Sequence, residues 1–427
     1  MLSAEHNELL TRTGPGTPMG ELFRRFWLPV MLSEEIPAPD CPPVRLRVLG
    51  EDLLGFRDSD GRVALVDAYC PHRGAPLFFG RNEQSGIRCV YHGWKFDSDG
   101  RCLEIPNALE GEVYKDKVAL TAYPAQDSGG LIWAYLGPSE RRPPMPHFGW
   151  LNLPTDHYFV QKLVLDCNYL QQAEGEMDPT HGAFLHSTLS GNNAFLFGVG
   201  SANPDALDAM ARCAVVKDTP YGVVNGMTRR GKTGDTIVNV NHCMLPSFNT
   251  APIFAQAGKV VGPWQNNFRV PVYDEHVILY RLRWQPDSPL SKRERYEDMY
   301  EGIRFAEVVP GTFRMKENRL NDYLVDRSVQ KTYSYTGIKS LIAQDVAIVE
   351  DQRGPVMDRS KEHLVSEDEV IIRMRSRMLN AARQLLEGQE PEEPFHPEVF
   401  SVRSANFALG SNASLEESVL ATTTPWE

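Results

Sequence analysis

The sequence predicts an α+β protein in which a small antiparallel β domain precedes a larger domain of mixed strands and helices. Three observations carry this prediction. Short β-type runs separated by turn signals fill residues 44–136, a Pro/Gly-rich stretch interrupts the chain near residue 145, and strand-like runs alternate with helices beyond it. The division expected is a helical lead-in over 1–40, the β domain over 41–145 and the larger domain over 146–427. That is in keeping with roughly 150 residues per domain for a chain of 427.

In chain order, Met19–Arg25 reads as a short lead-in helix. The strand runs of the β domain are Val44–Val48, Val63–Val66, Ile87–Tyr91 and Leu131–Tyr135, with turns at Asp58-Ser59-Asp60-Gly61 and Asp97-Ser98-Asp99-Gly100. Gly137, Pro138, Pro143, Pro144 and Pro146 mark the linker. In the larger domain Ile237–Val240 and Val277–Leu282 are strand-like, and Glu369–Leu386 is the clearest helix. Its expected start is a capping box of Ser366 with Glu369, and Gly388 with Pro391 closes it.

Hydrophobic residues make up 42% of the chain and charged residues 23%, which is ordinary globular composition and excludes a disordered, collagen-like or disulfide-dense chain. The formal charge of −12 repels nucleic acid and anionic bilayers alike, so neither is an expected partner. An anionic substrate then requires a local basic pocket. No run of about 18 apolar residues occurs, and Glu5, His6 and Glu8 ahead of Gly14-Pro15-Gly16 lack a signal-peptide pattern, so the expected compartment is the cytoplasm. Seven cysteines, odd in number and thinly spread, do not form a secreted disulfide framework and leave reduced thiols available as ligands.

Two constellations carry chemistry. Cys70 and His72 form a CxH pair, and Cys89 and His92 form a CxxH pair after 16 intervening residues. Each of two short loops thus offers one thiolate and one imidazole. Zinc fingers draw two cysteines from one loop and two histidines from a helix, whereas a Rieske [2Fe-2S] centre holds one iron by two Cys and the other by two His. The mixed loops fit the second, the alternatives being a zinc site or four residues that never meet. Gly74 and Gly93 let backbone approach sulfur, and Tyr91, Trp94 and Phe96 are expected to shield the cluster. The remaining cysteines, Cys41, Cys102, Cys167, Cys213 and Cys243, read as small buried thiols.

The second constellation is Asp178, His181 and His186 in a DxxHxxxxH pattern within NYLQQAEGEMDPTHGAFLHS. At about 100° per residue the two histidines differ by about 140° on an ideal helix. They converge on one ion only if the helix bends or unwinds near Gly182, with Pro179 contributing. Two imidazoles and a distant carboxylate, with positions left open, form the facial arrangement of non-haem Fe(II) sites that activate dioxygen. Asp345 in SLIAQDVAIVEDQRG is the expected carboxylate, on a helix whose Leu341, Ile342, Val346 and Val349 turn inward; Glu350 and Asp351 are the alternatives. Asp178 itself either ligates the metal or accepts a hydrogen bond from an imidazole. The other reading makes both histidines core residues and Asp178 a helix cap.

These residues resemble the Rieske non-haem iron aromatic-ring-hydroxylating oxygenases, large component, and within them the phthalate dioxygenase group. CPHRGAPL at 70–77, CVYHGWKFD at 89–97, EGEMDPTHGAFLHS at 174–187 and QDVAIVEDQRGPVMDRSKEHL at 344–364 carry the likeness. The resemblance implies that Cys70, His72, Cys89 and His92 bind [2Fe-2S] and that His181, His186 and Asp345 bind mononuclear Fe(II). It implies a catalytic role for Asp178, linking His181 to the partner subunit's His92, and hence a cyclic trimer or two stacked trimers. It implies a catalytic domain whose antiparallel sheet is covered by helices. It also implies electrons from NADH through a separate flavin or iron-sulfur reductase, with O2 as co-substrate and dioxygenation or monooxygenation of a small aromatic molecule, the group favouring an aromatic carboxylate. For that carboxylate Arg212 and Arg230 are the expected contacts, with Arg229 and Lys232 beside them. The rival functions are a Rieske-type electron carrier without oxygenase chemistry and a zinc-stabilised binding protein.

Overall fold

The computed structural model describes residues 2–110, 114–187, 189, 210–231, 234–252, 263–291, 295 and 306–426. The chain opens with helices α1 (Ala4–Thr11) and α2 (Pro18–Arg24), the second capped by Thr17 with Pro18 in its first turn, where a missing N–H costs nothing. Strand β1 (Trp27–Leu32) follows at once. It pairs with a strand a hundred residues on, β11 (Leu131–Tyr135), which also pairs with β10 (Ala125–Ser128). The lead-in therefore supplies a strand as well as helices.

Between them lie two four-stranded antiparallel sheets. One comprises β2 (Val44–Val48), β3 (Glu51–Arg57), β4 (Val63–Asp67) and β9 (Ala122–Tyr123); the other comprises β5 (Arg81–Asn82), β6 (Ile87–Arg88), β7 (Lys95–Phe96) and β8 (Cys102–Glu104). The strand expected over Ile87–Tyr91 stops at Arg88, because Cys89 onward forms a tight loop. Both expected turns are present. In each, an aspartate side chain (Asp58, Asp97) accepts the N–H groups two and four residues on, and the chain closes on a glycine.

The larger sheet has eight strands: β12 (Tyr158–Leu165), β13 (Arg212–Thr219), β14 (Gly222–Arg230), β15 (Thr236–Met244), β16 (Phe248–Pro252), β17 (Trp264–Tyr273), β18 (His276–Trp284) and β19 (Ala405–Ala408), ordered β12-β18-β17-β16-β15-β14-β13 with β19 alongside β15. Alternation gives it two unlike faces. One face carries Phe248, Phe268 and Trp284 and packs against Trp133, Phe148 and Trp150, with ring centroids 4.8–6.3 Å apart. The opposite face carries Arg229, Asn239, Asn241, Gln265, Asn267, Arg269, Arg281 and Arg283, read off in register across β14, β15, β17 and β18. This is a polar wall, nearly all of it buried.

Over that wall lie α3 (Tyr169–Met177) and α4 (Gly182–Leu185), followed later in the chain by α5 (Arg327–Thr332), α6 (Leu341–Asp351), α7 (Glu369–Leu386) and α8 (Leu415–Leu420). Helix α7 has the expected bounds, and Gly388 at φ +82° stops it by donating its N–H to the Leu385 carbonyl. The expected capping box is absent, since Ser366 opens a 3₁₀ turn instead. The Asp368 carboxylate, not Glu369, reaches back to the Val365 N–H at 2.7 Å.

Candidate metal centres and substrate cavity

The two Cys/His loops share one backbone pattern. The Cys70 N–H donates to the Ala75 carbonyl and the Gly74 N–H to the Cys70 carbonyl, both at 2.9 Å; the Cys89 N–H donates to Trp94 at 2.8 Å and the Gly93 N–H to Cys89 at 3.0 Å. Gly74 and Gly93 close these loops at φ +69° and +78°, a region that favours glycine. Both thiols are buried, and burial first, offset by the His72 N–H and reinforced by nearby Cys89, pushes the Cys70 thiol up to about 11. The imidazoles of His72 and His92 approach to 4.6 Å between ring centroids. The buried Nδ1 of His92 has no hydrogen-bond partner among the described residues, which suits a ligating nitrogen. These four side chains fit a [2Fe-2S] group. Of the expected shield, Phe96 is fully buried and Trp94 lies flat on His72 at 4.5 Å, but Tyr91, leaning on His92 at 3.9 Å, stays 54% exposed in the single chain.

The second centre is assembled by a break in α3. Asp178 precedes Pro179, and the proline ring disfavours helical backbone at the residue before it, so α3 ends at Met177 and Asp178 is extended at ψ 121°. The chain breaks at Asp178-Pro179, Pro179 being one of the two residues expected to interrupt it, and the short helix that holds Gly182 ends at His186 with φ −99° and ψ 11°. Asp178 Oδ1 accepts the Thr180 N–H at 2.7 Å and its hydroxyl at 2.8 Å, turning the chain into the single turn of α4. His181 and His186 bracket that turn, their rings 5.2 Å apart, and both face Asp345 on α6. His186 Nε2 lies 3.1 Å and His181 Nε2 3.7 Å from Asp345 Oδ1, and the three ligand atoms fall within 4.8 Å of one another.

Each imidazole is oriented from behind. His181 Nδ1 faces the Asp178 backbone carbonyl at 2.9 Å, and His186 Nδ1 faces Gln344 Oε1 at 2.7 Å. Because those partners are acceptors, both rings carry their proton on Nδ1 and present the Nε2 lone pair to a cation. The acceptor that Asp178 gives the His181 imidazole within the chain is thus its carbonyl, while its carboxylate accepts the His181 backbone N–H at 3.4 Å. Burial opposes charge on Asp345, but His186, His181 and Arg281 outweigh it and hold the carboxyl below the usual range. The alternatives are otherwise engaged: Glu350 accepts from the Asp166 N–H and the Tyr323 hydroxyl, and Asp351 pairs with Arg319 at 2.9 Å. Gln344 heads the 344–364 segment that carries the likeness, but the sequence assigned it no role of its own behind His186.

Helix α3 is clamped on two sides. Arg269 on the polar wall bonds Gln172, Glu176 and Asn249, while Glu174 is buried against Arg359 at 2.9 Å and Arg375 at 2.6 Å. Arg359 lies in the segment 344–364 that carried the family likeness, and this contact gives that segment a physical reason.

A cavity of about 190 Å³ opens beside the three ligands. Leu341, Ile342, Val346 and Val349 of α6 form an apolar side, and Arg229, Asn239, Asn241, Gln265, Arg281 and Arg283 form the polar side. The expectation for Arg212 and Arg230 is corrected here. Arg230 follows Arg229 on β14 and so points to the other face of the sheet; Arg212, paired across β13 and β14 with Thr228, shares that outer face, is exposed and pairs with Glu367 at 3.5 Å. Lys232 lies outside the described residues.

Comparison with known proteins matches this architecture. Residues 26–123 match the Rieske [2Fe-2S] domain family, and residues 134–404 match the family described as LigXa C-terminal domain like. The chain is 35% identical over 400 residues to the 3-chlorobenzoate-3,4-dioxygenase oxygenase subunit of Comamonas testosteroni, covering 90% of this chain and 89% of the relative. It is 34% identical over 402 residues to the phthalate 4,5-dioxygenase oxygenase subunit of Pseudomonas putida, covering 91% and 88%. Among solved structures, dicamba monooxygenase bound to dicamba superposes with a TM-score of 0.59 at 19% identity, over 86% of this chain and 99% of that one. That likeness speaks for the fold alone. Among the described residues, no helix is long and apolar enough to cross a membrane.

Proposed function

The chain belongs to the Rieske non-haem iron oxygenases, and from that premise we propose that it is the oxygenase component of a multicomponent system that hydroxylates an aromatic carboxylate. It draws electrons from NADH through a separate reductase, with dioxygenation or monooxygenation as the outcome. The observation that carries this is the triad of two Nε2 atoms and one Oδ1 within 4.8 Å beside a cavity with a basic, polar wall. An electron carrier has no use for such a triad. When bound, the cluster relays single electrons and the mononuclear iron supplies the centre at which dioxygen is reduced.

The chain's own residues do the rest. Cys70, Cys89, His72 and His92 hold the cluster; His181, His186 and Asp345 hold Fe(II), with Gln344 and the Asp178 carbonyl fixing the imidazole tautomers. The apolar side of α6 takes the aromatic ring and keeps water from it. Arg229, Arg281 and Arg283 supply the local positive charge that an acidic protein needs to bind an anion. Asp178, half-buried beside His181, connects across a subunit interface to the partner subunit's His92 in a trimer or pair of stacked trimers. The exposed Tyr91 next to His92 is consistent with such a contact. Turnover of a panel of substituted benzoates with a compatible reductase, with product identification, tests the function: an oxygenated aromatic acid is expected. Reduction and reoxidation of the cluster without oxygenated product from any aromatic acid would overturn it.

A further inference from the structure

The polar wall of the cavity carries more hydrogen-bonding capacity than the described chain uses. Asn239 and Asn241 occupy successive cavity-facing positions on β15 and are 1% and 5% exposed. Four buried amide oxygens accept no hydrogen bond among the described residues, those of Asn82, Gln161, Asn239 and Asn241, and of these only the last two line the cavity. A buried acceptor left without a donor is costly. Two of them side by side on the wall of a site point to a donor that arrives with the substrate.

The sheet register says what lies next to that donor. Met227 stands opposite Asn239 and Arg229 opposite Ile237, so Arg229 and Asn239 are diagonal neighbours on one face, roughly 7–8 Å apart along the backbone grid. Both side chains line the same cavity, so a ring bearing a carboxylate and a hydroxyl can present one group to each. We infer that Asn239 and Asn241 are specificity residues that select an aromatic acid carrying a ring hydroxyl, the single hydroxyl hydrogen going to the amide oxygen of one of them while the carboxylate faces Arg229. This rests on the aromatic-acid reading above and narrows it.

The test uses the full chain with both metal centres loaded, under anaerobic conditions, and calorimetric Kd values for benzoate, the three hydroxybenzoates and the matching methoxybenzoates. At least one hydroxybenzoate is expected to bind roughly ten- to hundredfold more tightly than benzoate, the size of one buried hydrogen bond, and its methoxy analogue no better than benzoate. In at least one of Asn239→Leu and Asn241→Leu that preference should be lost, the favoured hydroxybenzoate binding no tighter than benzoate measured on the same variant. Asn239→Ser, which keeps an acceptor, should restore part of it, and the visible spectrum of the cluster with the iron content verifies that each variant is folded. Equal binding of benzoate and every hydroxybenzoate, tighter binding of the methoxy compound, or an unchanged preference in both leucine variants overturns the inference while leaving the aromatic-acid reading intact. Failure of the unaltered protein to bind any of these acids overturns both.

Discussion

Replacing Gln344 by Met isolates how much the mononuclear site depends on the group behind His186. The glutamine is held at both ends: its Nε2 donates to the Ile338 carbonyl at 2.8 Å and its Oε1 accepts from His186 Nδ1 at 2.7 Å. Methionine conserves the volume and removes both bonds. With its side chain 5% exposed, His186 cannot recover the lost acceptor from solvent, so its Nδ1–H is left unpaired at about 1–3 kcal/mol, and the ring becomes free to rotate or to change tautomer. Outer-shell partners of metal-bound histidines are worth about 10- to 100-fold in affinity, or about 1.4–2.7 kcal/mol, which agrees with the cost of the orphaned donor. The expected result is a 10- to 100-fold weaker Fe(II) affinity in competition with a chromophoric chelator. The visible absorption of the cluster, whose ligands lie on other loops, should not change. An Fe(II) affinity within twofold of the unaltered protein, with an intact cluster spectrum, would refute the reasoning.

Four further outcomes follow from the same geometry. His181→Ala, His186→Ala or Asp345→Ala should abolish mononuclear iron and oxygenation while the cluster absorption persists, as read by iron counting and spectroscopy on one sample; loss of the cluster with mononuclear iron retained would contradict the ligand assignment. Asp178→Asn keeps size but exchanges a carboxylate oxygen for a possible donor, so both irons should remain loaded while cluster reoxidation in single turnover becomes very slow; normal reoxidation would sink the bridge. Arg229→Met should raise the KM for an aromatic acid about tenfold or more and barely alter that for a neutral analogue, whereas Arg230→Ala on the outer face should leave both nearly unchanged. Glu174→Gln should cost about 3–5 kcal/mol by removing the carboxylate paired with the buried Arg359, while Arg375 keeps Glu362, lowering the thermal midpoint. Burial pushes that carboxyl up but Arg359 and Arg375 outweigh it and depress it, so the contribution is present above about pH 4.5 and fades as pH falls through the depressed value, a fade that the Gln variant should lack.

The residues that name the chemistry were legible in the sequence because metal ligation constrains residue type and short-range spacing together. Cys70/His72 and Cys89/His92 each sit within one loop, and His181 and His186 flank one helical turn, so local chain geometry almost suffices to assemble them. Asp345 was reachable for a related reason: its helix has an apolar stripe that dictates which way it faces. Most strand runs and the α7 helix followed from periodicity, though the run at Ile87 ends at Arg88, and Gly388 was legible as the stop because glycine freely adopts the φ of +82° that it has there.

What only the tertiary structure decided is where faces point and what stands behind the ligands. Arg229 and Arg230 are neighbours in sequence and equal in chemistry, yet the two-residue period of β14 sends one into the cavity and the other to the outer face, and only pairing with β13 and β15 settles which. The alternation of Asn239 and Asn241 with Val238 and Val240 was visible beforehand, but a polar stripe on a strand ordinarily faces water. Here it faces inward, because the aromatic side of the sheet is taken up by Trp133, Phe148 and Trp150 and α3 and α6 close over the other side. Gln344 against His186, and Glu174 against Arg359, join residues 158 and 185 positions apart. Pairings at that separation leave no periodic trace in one sequence, since they are fixed by how the helices pack and not by any local preference of the chain.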